Sequence, residues 1–238
     1  MKTVKLEHIR YEAPYNRSQI STNRNCGVII KAKDSVKIKD VTFTEEACGN
    51  TRYNGIEIGL NVGSKVYRPK TIDIEDVNFE GQITNNGILI FDCADNAIIN
   101  IKNCKFGKCS NPIRFSNYSM SKNVTINIEN CECEQWENRQ GMEMWKGFLI
   151  LEDYRNDHTQ LSDFAKCFGK ESGLTINITN IKANGAKLNP QEYVYNIVGQ
   201  NTDNRDVQWI IGCIDYSQEY SNDVIPYNED IYPTINLF

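Results

Sequence analysis

The side chains able to do chemistry in this 238-residue chain are nine cysteines, two histidines and a scatter of carboxylates. The cysteines are Cys26, Cys48, Cys93, Cys104, Cys109, Cys131, Cys133, Cys167 and Cys213. Grouped together, Cys104, Cys109, Cys131 and Cys133 offer a set of thiolates of the kind zinc takes. An alternating strand, however, turns both sulfurs of Cys131-Glu-Cys133 to one face, where a thiol packs as a small hydrophobe. The odd count points to free thiols in a reducing compartment. So does the opening Met-Lys-Thr-Val-Lys-Leu-Glu-His, which lacks the apolar run of a secretory leader. Adjacent parallel strands lie about 4.8 Å apart, so a bridge between Cys104 and Cys131 stays geometrically open.

Carboxylates do chemistry on sugars only when they converge, either around calcium or as an acid and base across a glycosidic bond. Asp92, Asp95, Glu143, Asp153 and Asp157 are the loop carboxylates able to do so, and a solvated loop is the plainer role for each. His8 and His158 lie far apart in the chain. There is no phosphate-cradling glycine loop, no Gly-x-Ser-x-Gly and no His-Glu-x-x-His. The reading is therefore of no catalytic residue, no metal and no cofactor. A net charge of −5 without a Lys/Arg cluster argues against nucleic acid as a partner. No apolar run reaches membrane-spanning length. Trp136, Trp145 and Trp209 could stack on sugars, but single rings of this kind more often plug a core.

What must position these residues is a repeat. Val36-Lys-Ile-Lys-Asp-Val-Thr-Phe43, Ile72–Phe79, Ile99–Phe106, Ile126–Cys133 and Ile176–Ala183 align without gaps, and Val4–Tyr11 has the same outline. Each alternates with period two and breaks once, at a fifth position held by Asp, Asn or His. A second set falls between: Cys26-Gly-Val-Ile-Ile, Asn54-Gly-Ile-Glu-Ile, Asn86-Gly-Ile-Leu-Ile, Asn111-Pro-Ile-Arg-Phe and Lys146-Gly-Phe-Leu-Ile. Each opens on a turn residue, usually Gly, where positive φ costs little. No such unit buries its apolar face alone, so neighbours must stack.

Ile-x-Ile, an Asn/Asp bend, Val-x-Phe, then Asn-Gly and another strand is similar to the repeat of the pectate-lyase-like parallel β-helix superfamily, over about residues 1–185. The resemblance implies an all-β fold, a right-handed parallel β-helix of about six to seven coils spanning 1–188, with an insertion at 152–172. The repeat fades beyond 188, and residues 189–238 are expected to form a C-terminal cap or docking segment; open strand edges need covering at both ends, and 1–25, rich in Arg, Asn and Tyr, offer a cap at the first. The resemblance also implies a bend ladder of Asp40, Asp76, Asn103, Asn130 and Asn180, in which each amide bonds the next coil. Stacked carboxylates repel, so the bends at Asp40 and Asp76 are expected to face water. Family lyases carry calcium-binding carboxylates with an Arg or Lys base, and family hydrolases carry three Asp with a His and Arg-x-Lys. Here Glu57 and Arg114 stand apart, and Asn201-Thr-Asp203 lacks its companions.

Sidedness completes the reading. The outward residues of the Ile-x-Ile strands and of the strands after the bend are polar. The outward rows of the Gly-led strands are apolar at Ile29, Leu89, Phe91, Leu149 and Leu151, which marks them as an interface, as a surface covered by the 152–172 insertion, or as a sugar-stacking surface. The expected function is a non-catalytic structural or attachment protein, a phage or virus virion component such as a fibre or decoration protein, assembled in host cytoplasm. Its expected partner is a protein or a second copy of itself, with a glycan as a further candidate. The alternatives are a polysaccharide lyase or glycoside hydrolase, and a plain cytoplasmic location.

Overall fold

The computed structural model describes residues 2–11, 26–48, 54–59, 67–136, 147–153, 161–187, 197–198, 211–215, 224–225, 230 and 232–238. In chain order the strands are β1 (Thr3–Tyr11), β2 (Cys26–Ile30), β3 (Ser35–Phe43), β4 (Asn54–Ile58) and the long β5 (Thr71–Ile90). There follow β6 (Ile98–Lys102), β7 (Lys105–Phe115), β8 (Thr125–Glu129), β9 (Glu132–Trp136), β10 (Leu149–Asp153) and β11 (Thr175–Thr179). The last are β12 (Lys182–Ala183), β13 (Ala186–Lys187), β14 (Ile197–Val198), β15 (Ile211–Asp215), β16 (Val224–Ile225) and β17 (Thr234–Leu237). Helix among the described residues is confined to α1 (Glu45–Cys48), α2 (Leu161–Phe168) and a 3-10 turn at Lys170–Ser172.

The fold is all-β and its long sheets are parallel. The Ile-x-Ile segments β1, β3, β5, β6, β8, β11 and β17 pair in register through Val4, Val36, Ile72, Ile99, Ile126, Ile176 and Ile235. Six of these positions are the ones aligned in the sequence. The seventh, Thr234-Ile-Asn-Leu237, repeats the Thr-Ile-Asn-Ile of β8 and β11 and adds a rung from the C-terminal segment. A second stack runs through Phe43, Phe79, Phe106, Cys133 and Ala183. The Gly-led segments form the third, through Val28, Ile56, Ile88, Ile113, Leu149 and Ile211.

Between the first and second stacks the chain turns on single residues. His8, Asp40, Asp76, Asn103, Asn130 and Asn180 all have φ between 49° and 54°, the left-handed region that Asn and Asp tolerate best among residues bearing a Cβ. The inner faces meet in one apolar core, with Val36, Ile72, Ile99 and Ile176 fully buried. At its centre Phe43 stacks on Phe79 at 4.8 Å, and Phe79 on Phe106 at 5.5 Å. These rings explain two glycines. A Cβ on Gly55 would meet the Phe79 ring at 2.4 Å, and one on Gly87 the Phe106 ring at 2.4 Å. Neither has positive φ, so close ring approach, rather than the turn conformation expected from sequence, calls for Gly at 55 and 87.

Within the 1–25 stretch read as a cap, Thr3–Tyr11 is the first rung, as its alignment with the repeat implies, paired with β3, and residues 12–25 lie outside the described residues. One expectation needs correction. In the third stack Leu149 lies opposite Ile113 and Leu151 opposite Phe115. Both point into the core and are fully buried, one residue out of step with the outward placement read from Lys146-Gly-Phe-Leu-Ile. A slip of one residue exchanges the two faces of a strand.

Candidate interaction surface

The outward rows of the third stack therefore read Ile29, Glu57, Leu89, Arg114 and Ile150, then Lys31, Gly59, Phe91, Ser116 and Glu152. Of the five residues expected at an interface only Ile29 is exposed, at 45%. Leu89 and Phe91 are buried, and Phe91 stacks on Tyr118 at 4.9 Å. The structure does not bring Ile29, Leu89, Phe91, Leu149 and Leu151 to one open surface. Of the charged members of these rows Glu57, Arg114 and Glu152 are buried as well, Lys31 is partly exposed, and Arg114 forms an ion pair with Glu152. Two turns of chain earlier, Asn54 donates to Glu57 at 3.4 Å.

Asp92 and Asp95, two of the carboxylates considered for catalysis, meet around Arg68. Asp92 is fully buried; its Oδ1 accepts from the Cys93 and Ser119 amides and its Oδ2 from the Ser119 hydroxyl at 2.5 Å. Burial pushes its carboxyl above the ordinary range, against those hydrogen bonds and the Arg68 charge. Arg68 also donates to the Cys93 carbonyl, to Ser121 Oγ at 2.7 Å and to Asp95 at 3.4 Å. Asp95 accepts in turn from the Lys122 amide. Apart from the Cys93 amide, a neighbour in sequence, these contacts tie together the loops at 67–70, 91–97 and 116–124, so the cluster acts as a clasp across connecting loops. Asp153 lies in β10, and its side chain, like Glu143 and Asp157 altogether, falls outside what is described.

The outer face of the first stack is organised by amides. Asn236 donates to Asn177, Asn177 to Asn127, Asn127 to Asn100 and Asn100 to Asp73, at 2.7–2.8 Å throughout. A neighbouring row alternates in charge through Glu7, Lys39, Glu75, Lys102 and Glu129. Lys39 bonds Glu75 at 2.9 Å and Lys102 bonds Glu129 at 2.9 Å. At the bends, Asn103 donates to Asp76 at 3.1 Å and Asn180 to Asn130 at 2.7 Å, while His8 meets Asp40 at 2.7 Å. The ladder running down the strand face was not singled out in the sequence. Its signal was there, since Asn100, Asn127 and Asn177 recur at one position of the aligned repeat.

Hollows open on the described surface. A polar cleft of about 270 Å3 is lined by Glu45, Glu80, Gln82, Lys108, Glu134 and Gln135 over Gly81 and Gly107. An apolar hollow of about 430 Å3 lies between β1 and β2. The cysteines line neither. Cys48, Cys93, Cys104, Cys109, Cys131, Cys133 and Cys167 are buried free thiols. Burial pushes Cys109 up to about 12 and raises Cys93 and Cys133 further. Cys104 is raised by its hydrogen bond to Cys131 and then by burial. Among the described residues no three His, Cys, Asp or Glu converge to hold a metal ion. Trp136 is buried in the core; Trp145 and Trp209 lie outside the described residues. No described helix is long and apolar enough to cross a membrane.

Comparison of the chain with protein-family models, with curated proteins and with solved structures finds no match in any of the three.

Proposed function

We propose that the chain is a right-handed parallel β-helix of the pectate-lyase-like kind and that it serves as a non-catalytic structural or attachment protein. A virion fibre or decoration protein, assembled in host cytoplasm, is the setting we propose for it. What supports the reading is how its charged groups are used. Asp92, Asp95 and Arg68 direct their hydrogen bonds to one another, to Ser119 and Ser121 and to backbone groups of neighbouring loops, and Arg114 pairs with Glu152 on the adjacent strand. Outer rows of amides and alternating charges do the same along the stack. Side chains committed to neighbouring turns make a stiff rod rather than a convergent reaction centre.

The test is a panel of acidic and neutral polysaccharides incubated with the full chain, with reducing ends and unsaturated products followed. The reading expects no cleavage. Release of oligosaccharides that stops with Asp92→Asn would overturn it in favour of a depolymerase. Release that stops with Glu80→Gln or Glu134→Gln, in the polar cleft, would do the same and move the active site there.

A further inference from the structure

The two ends of the stacks are built differently. At the far end, two of the three stacks stop in an antiparallel strand, β13 on β12 and β16 on β14, which turns the last edge back on itself. At the near end, among the described strands, β1 pairs only with β3 and β2 only with β4. Between these two edges lies the apolar hollow, lined by Val4, Leu6, Val28, Ile29, Ile30 and Lys31. Val4, Leu6 and Val28 pack on the core but are only partly buried. Ile9 and Ile29, on the same two strands, are exposed at 37% and 45%.

The edge of β1 carries a register of its own. Leu6 turns inward between Lys5 and Glu7, which share the outer face. When two copies of β1 run antiparallel with Leu6 opposite Leu6, Lys5 of each faces Glu7 of the other, twice by symmetry. Registers centred on Lys5 or on Glu7 instead set like charges opposite each other, so the same residues that favour one pairing disfavour its neighbours. Within its own chain Glu7 already holds Lys37 at 2.6 Å through Oε1, which fixes the carboxylate on this outer face.

We propose that this end is the face by which two copies of the chain join head to head, β1 against β1 in the register centred on Leu6, with the two apolar hollows closed on each other. The inference rests on the structural reading above, but it fails or stands separately.

The experiment is the mass of the full chain in solution by light scattering across a concentration series, for wild type, Lys5→Glu, Glu7→Lys and an equimolar mixture of the two variants. Wild type is expected at twice the chain mass. Each variant alone sets like charges at both cross pairs, and its dimer Kd is expected to rise at least about tenfold. The mixture restores opposite charges at both pairs, and dimer returns. Ile29→Glu, at an exposed position, is expected to weaken the dimer while circular dichroism stays that of wild type. A wild-type monomer at all concentrations would overturn the proposal, and one destabilised by Ile29→Glu would assign the hollow to the chain itself. A dimer indifferent to both charge variants would overturn it too, placing the interface elsewhere. Sugar cleavage by an intact dimer would sink the proposed function and leave this interface standing.

Discussion

Replacing Asn127 by aspartate asks whether the amide ladder on the outer face carries stability. In the wild type Asn127 accepts from Asn177 and donates to Asn100, both at 2.8 Å. The Asn127→Asp carboxylate still accepts from Asn177, but it cannot donate, and it sets an oxygen against the Asn100 oxygen. A lost hydrogen bond of this kind costs about 1 kcal/mol net, and the opposed acceptors add roughly as much again. The expected loss of about 1–2.5 kcal/mol corresponds to a fall in Tm of roughly 2–10 °C for a chain of this size. The pH dependence has a definite sign. A protonated carboxyl can donate to Asn100, so the folded state holds that proton more tightly than the unfolded chain does. The penalty is then smallest below the ordinary aspartate value of about 4 and grows as pH rises through the elevated folded value. Thermal melts of wild type and Asn127→Asp, followed by circular dichroism at neutral and at acid pH, measure the difference at each. A penalty equal at both, or no penalty at neutral pH, would refute the ladder argument.

Gly87→Ala is expected to destabilise by about 1–3 kcal/mol in urea unfolding, because its Cβ meets the Phe106 ring at 2.4 Å and the Pro112 carbonyl at 2.8 Å; a neutral result would show that the ring stack yields. The seven buried thiols are expected to resist alkylation in the folded protein and to react on denaturation. Burial raises Cys93, Cys109 and Cys133 in the folded state, so unfolded thiols ionise first. Stability held below about pH 8.5 should therefore fall as pH climbs toward 12, and a melt that is flat over that window would contradict it.

The architecture was largely legible because its signal is redundant. Six segments with the same alternation and the same Asp, Asn or His break pair in the register in which they align. The misreading at β10 has a physical source. Phe148-Leu-Ile-Leu151 is apolar at four successive positions, so alternation is silent, and Gly147 was matched to the glycines of other repeats. The structure instead sets Phe148 beside Pro112, its carbonyl accepting from the Ile113 amide at 3.0 Å. The candidate surface was less legible. An outward apolar side chain reads the same in sequence whether it is bare, as Ile29 is, or buried, as Phe91 is under Tyr118. Nor does alternation along a strand say which strand ends a stack among the described residues, and the hollow beside Leu6 is a property of that edge.

The strand-face ladder also has a direction. From Asn236 to Asn100 every link donates from the later rung to the earlier one, so four amide dipoles point head to tail along the stack of strands, their hydrogen ends toward the start of the chain. The row terminates on Asp73, a group that at neutral pH can only accept. The arrangement is a side-chain counterpart of the backbone dipole of a helix, with a carboxylate seated at its positive head. A stack built this way is polar along its length, and the two ends of the ladder are chemically distinct even where the strands beneath them are alike.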